Sequence, residues 1–134
     1  MIKELGRDEI EIVEDYIYLT REEYPFYFLT DKKPKKYSNR GFLINNSYYV
    51  NVQEISGFNF VGLCKVRDKK SLLEIIELFK QLLKEYKNID VWAFKGNEQI
   101  IRILSKSENY LARYGVLTHK IYDEGIIIYR FKEV

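Results

Sequence analysis

The residues of this 134-residue chain whose types could do chemistry are a lone cysteine, a lysine-rich stretch and a few adjacent carboxylates. Cys64 has no partner cysteine, so no internal disulfide can form. A nucleophilic thiol needs a polar, electropositive setting that lowers its pKa. Cys64 lies instead in the apolar run Phe58 to Val66. There a cysteine reads as a small buried hydrophobe, and its isolation points to a reducing compartment. The stretch Asp31 to Arg40 holds five basic residues and one acidic, a local charge of +4. Pro34 and its polar neighbours make it a surface loop. The first reading is a solvated connection. The second is a docking loop, Lys32–Arg40, for an acidic protein partner, and the third a contact for nucleic-acid phosphate. Glu14-Asp15 and Glu22-Glu23 fall on an exposed helix face and need no chemistry. Tyr16, Tyr18, Arg21, Tyr24, Tyr37 and Arg40 could stack on single strands, but a net charge of +2 argues against nucleic acid. No His/Cys/Asp/Glu spacing fits a metal, and no P-loop, dinucleotide fingerprint or nucleophile elbow appears.

Composition sets the frame for these residues. With 46% apolar residues the chain can bury enough surface to offset backbone entropy, which excludes disorder as the main state. Its length is that of one domain, expected to span 1–134. The first residues lack an apolar run of signal-peptide length, and no run reaches the roughly 18 residues that span a bilayer. The expectation is a soluble, cytoplasmic protein without a membrane partner.

The elements follow from periodicity. Asp8 to about Glu23 reads as a helix capped by Asp8, with Ile10, Val13 and Ile17 at helical spacing. Pro25 should end it at Tyr24, and the aromatic run to Leu29 is a short helix or an extended segment. Phe42–Ile44, Tyr48–Gln53 and Phe58–Val66 read as three strands of an antiparallel meander, joined at Asn45-Asn46-Ser47 and Ser56-Gly57. Ser71-Leu72-Leu73-Glu74 has the form of a capping box. It opens a helix with Leu72, Ile75, Ile76, Phe79, Leu82, Leu83 and Tyr86 on one face, closed by Asn88. Ile89–Phe94 is a strand, so strand, helix and strand form a crossover. Asn97 caps a short helix running to about Lys106. Val116–Tyr122 and Ile126–Phe131 close the chain as a hairpin around Asp123-Glu124-Gly125.

This order, helix, three strands, helix, strand, helix and hairpin, resembles the GNAT-type N-acyltransferase family from about Asp8 to Phe131. Asn97-Glu98-Gln99-Ile100-Ile101-Arg102-Ile103-Leu104-Ser105-Lys106 is similar to the family's segment of asparagine, two polar residues, two apolar, arginine, then leucine-tyrosine. The resemblance implies an α/β (or α+β) fold: a mostly antiparallel mixed sheet of six or seven strands with helices on both faces. The wording, rich in lysine, isoleucine, tyrosine and asparagine, suits an AT-rich genome. Since phages carry GNAT-like proteins, a viral origin and a host-cytoplasmic location are expected.

The family's chemistry has three needs. The first is a backbone cradle for the diphosphate of coenzyme A, of the form Arg/Gln-x-x-Gly-x-Gly/Ala. The corresponding run here is Arg67-Asp68-Lys69-Lys70-Ser71-Leu72. Arg67 fits, whereas Lys70 and Leu72 fill the two small positions and Asp68 adds a negative charge. The cofactor-binding candidates implied are Val66, whose neighbouring amides would polarise the thioester carbonyl, Arg67, Lys69, Lys70, Ser71 and Asn97. The second need is a tyrosine acid, whose place matches Leu104. Tyr110 is the catalytic candidate nearby, off register with Tyr114. The third is a base, for which Glu54 and His119 are candidates. The leading expectation is a GNAT-like domain that has lost its catalytic pattern and serves as an accessory or protein-interaction module, with no cofactor. The alternative is an active N-acetyltransferase using acetyl-CoA through an unusual loop, followed by a nucleic-acid-binding module.

Overall fold

The structure, a computed structural model, describes residues 1–24, 33–67 and 70–134. The aromatic run from Pro25 to Leu29, the first part of the lysine-rich loop through Lys32, and Asp68 and Lys69 lie outside the described residues. Seven strands, β1 (Ile2–Glu4), β2 (Arg40–Ile44), β3 (Tyr48–Ile55), β4 (Phe58–Lys65), β5 (Asn88–Phe94), β6 (Leu117–Asp123) and β7 (Ile126–Lys132), form one sheet in the order β1-β2-β3-β4-β5-β7-β6. Three helices are described, α1 (Arg7–Leu19), α2 (Leu72–Tyr86) and α3 (Glu98–Ala112), with a 3₁₀ turn at Arg21–Glu23. All strand pairs are antiparallel except β4 with β5, which α2 joins as a parallel crossover.

Period-two alternation divides the sheet's side chains between two cores. Val50, Val52, Val61, Leu63, Ile89, Val91, Tyr129 and Phe131 turn to one face and are covered by α2 and α3 through Ile75, Phe79, Leu82, Leu104 and Leu111. Tyr49 and Cys64 turn to the other face and meet Ile10 and Ile17 of α1. Helices thus lie on both faces, as expected. At roughly 1.5–3 kcal/mol for each large apolar side chain removed from water, the α2–α3 core dominates the fold.

Several local expectations are corrected. β1 was not anticipated; only three residues long, it carries too little pattern to read. The α1 cap is Gly6 rather than Asp8: the Glu9 carboxylate reaches back to the Gly6 N–H at 3.0 Å. Glu14 does not sit idle on an exposed face. Its two oxygens accept from the Ser38 N–H at 3.0 Å and the Tyr49 hydroxyl at 2.5 Å. The Ser71 hydroxyl makes no capping bond to α2 and contacts the Ser47 hydroxyl at 2.8 Å instead. α2 is closed by Lys87, in left-handed geometry at φ 69°, and Asn88 already belongs to β5. α3 runs six residues beyond Lys106 to Ala112.

Candidate functional site

The pairing between β4 and β5 shapes the site. β3 and β4 pair along their whole length, but β4 and β5 are joined only at Phe60–Asp90 and Val61–Val91. Beyond Val61 the two strands diverge and leave a fork in the middle of the sheet. The Val66 N–H donates to the Ser47 carbonyl at 2.7 Å. Since N–H directions alternate along a strand, the Cys64 amide also faces β3, while the Leu63 and Lys65 amides face the fork.

Where β3 and the end of β4 meet the start of α2 and the outer side of α3 lies a groove of about 550 Å³. Tyr48, Lys65, Lys70, Ser71, Gln99, Arg102 and Lys106 supply its polar lining, with Leu72 and Ile103. Four of these residues are basic and none is acidic. Each reaches the groove for a local reason. Lys65 ends β4 on its α2–α3 face. Gln99, Arg102, Ile103 and Lys106 recur at i, i+3, i+4 and i+7, a stripe of α3 beside its buried stripe of Ile100, Leu104, Ser107 and Leu111. Gln99 donates to the Tyr48 hydroxyl at 3.2 Å, fixing that end of the stripe to β3. Asn45 and Ser47 hold the Ser71 hydroxyl, at 3.2 and 2.8 Å. The first amides of α2 have no intrahelical acceptor, and they add a partial positive charge to the four cations.

The structure separates the residues singled out from sequence. Lys70 and Ser71 line the groove. Lys69 lies outside the described residues. Val66 packs against the α1-side core, on the opposite face of the sheet. Both its amide and that of Arg67 donate to the Ser47 carbonyl, at 2.7 and 3.2 Å. These amides are committed, so the β4 amides turned to the fork are those of Leu63 and Lys65. Asn97 caps α3, its side-chain oxygen accepting from the Ile100 N–H at 3.3 Å. Glu54 is exposed near the far end of β3, six residues or about 20 Å from Tyr48. Tyr110 stacks on Tyr114 at 5.7 Å near the C-terminal end of α3, and this neighbour raises its pKa. His119 is exposed on β6. Neither Glu54 nor Tyr110 is thus brought to the groove. Leu104, at the place of the family's tyrosine, is fully buried.

The sequence reading missed Lys65, Arg102 and Lys106. The signal was available, since Arg102 and Lys106 stand four apart on a helix and project together. The lysine-rich loop is partly spent within the fold. Lys33 pairs with Asp15 at 2.9 Å, and Arg40 bonds Glu4 at 2.8 and 2.9 Å and also Glu85. No group of three or more His, Cys, Asp or Glu among the described residues could hold a metal ion. No described helix is long and apolar enough to cross a membrane.

No family model and no curated protein matches the chain. Among solved structures, an aminoglycoside N(6')-acetyltransferase from Legionella pneumophila is similar over 99% of this chain and 90% of that one. The TM-score is 0.52 and the identity 16%, so the likeness is one of fold. The chain has a GNAT-like fold: a mixed α/β structure with a seven-stranded sheet and three described helices.

Proposed function

We propose that this protein holds the diphosphate of a coenzyme A thioester, acetyl-CoA in the first instance, in the groove between α2 and α3, and passes the acyl group to an amine. One observation carries the reading. Four basic side chains and no carboxylate line a groove between the end of β4, the start of α2 and α3. Lys70, Arg102 and Lys106 would act as side-chain charges where the family uses glycine-backed amides, and the start of α2 would add its dipole. The thioester, when bound, supplies an activated acyl group. The Leu63 and Lys65 N–H groups, turned toward the fork, would polarise an acyl carbonyl lying there.

A second reading, the non-catalytic accessory module favoured by the sequence, rests on buried Leu104. No tyrosine stands at that place to protonate a leaving thiolate. Calorimetric titration with acetyl-CoA tests the proposal. A saturable one-to-one heat is expected, weakening by about tenfold or more in the Arg102→Ala/Lys106→Ala double variant. Absence of any heat would overturn it. Binding with no transfer to a panel of primary amines would select the second reading.

A further inference from the structure

α1 is apolar on two opposite faces. Ile10 and Ile17 are buried against the sheet, whereas Ile12, Tyr16 and Leu19 are 69%, 57% and 76% exposed. At 100° per residue, positions 12, 16 and 19 share one line along the helix, diametrically away from the sheet. Carboxylates surround that line. Asp8, Asp15 and Glu11 flank one side of it and Glu9 the other. From Arg7 to Glu23 two arginines stand against seven carboxylates, a local charge of −5 in a chain of net charge +2. Glu9 is engaged by Lys3 at 3.0 Å and Asp15 by Lys33 at 2.9 Å. Asp8 and Glu11 have no ion-pair partner among the described residues.

Three large apolar side chains in one line on a helix that already has a buried face are not explained by packing among the described residues. The surrounding charge narrows what could cover them. A second copy of the same face would set Asp8 and Glu11 against carboxylates of the same kind. An anionic lipid surface or a nucleic acid would meet the same repulsion. We propose that the outer face of α1 is a docking surface for a cationic amphipathic helix of a partner protein. The partner's apolar residues would cover Ile12, Tyr16 and Leu19, and its lysines or arginines would face Asp8 and Glu11. The surface lies across the sheet from the groove and does not depend on what the groove binds.

The probe is a fluorescent peptide of leucine and lysine at helical spacing, titrated with the full chain and followed by anisotropy. Its counterpart with glutamate for lysine serves as the control. Saturable binding of the cationic peptide is expected, weakened at high salt. The exposed-site variant Ile12→Ser/Leu19→Ser should bind at least about tenfold more weakly. Because both side chains point into solvent, that variant should keep the wild-type circular dichroism and melting midpoint. Equal binding by variant and wild type, or by both peptides, would overturn the proposal. So would a wild-type dimer in sedimentation that the variant loses, since the stripe would then be an interface between copies.

Discussion

Tyr49 shows how a single side chain joins α1 to the sheet. It is fully buried, and its hydroxyl donates to Glu14 at 2.5 Å. Burial, and then the Glu14 charge, raise the pKa of the phenol. Tyr49→Phe would leave the carboxylate with only the Ser38 N–H among these two donors. The loss should be about 1.5–3 kcal/mol, read from the shift of a urea midpoint. Cys64 behaves as a core residue. Burial pushes its thiol pKa up to about 12. A thiol-specific chromogenic reagent at pH 8 should therefore label the native protein only as fast as it unfolds. The linkage has a definite sign: a folded pKa above the unfolded one favours the folded state below about pH 9. That contribution is lost as pH rises from there towards 12, and Cys64→Ala should flatten the alkaline limb of the stability profile.

The elements were legible wherever pattern and chemistry agreed. The stripe of α2, the meander β2–β3–β4 and the final hairpin all lie within a few residues of where periodicity places them. α3 reads short in the sequence because Ser107 interrupts its apolar stripe. The serine is nevertheless fully buried, and its hydroxyl donates to the Ile103 carbonyl at 2.7 Å, so the helix satisfies it internally. The end of α2 was misread for the opposite reason. Asn88 is the residue type that favours left-handed geometry, yet Lys87 adopts it. Lys87→Gly should remove that cost. After the loss of a weak exposed pair with Glu133, a net gain of about 0.5 kcal/mol is expected in thermal unfolding. Asn97→Ala should cost about 1 kcal/mol through the lost cap. If Asn97 only caps, the affinity of the variant for acetyl-CoA will match that of the wild type.

Across the whole molecule, a net charge of +2 conceals a strong division. The segment Arg7–Glu23 carries −5, while the groove on the other face gathers four cations. The meander, the crossover and the final hairpin could be read from the sequence because each has a local signature, whereas the pairing of β7 rather than β6 with β5 has none. The fork could not be read either, since it depends on where pairing stops between two strands 30 residues apart. The groove's cations also come from separate elements, with Lys65 on β4, Lys70 before α2, and Arg102 and Lys106 on α3. A linear motif shows only the run at Arg67–Leu72, and of its described members Lys70, Ser71 and Leu72 line the groove. The most direct measurement is a map of backbone amide shifts in the ¹⁵N-labelled protein on adding acetyl-CoA. Coenzyme binding in the groove predicts saturable shifts at Leu63, Lys65, Lys70–Leu72 and Gln99–Lys106, with α1 and β6 unmoved. Shifts confined to α1 or to residues 33–40, or none at all, would contradict it.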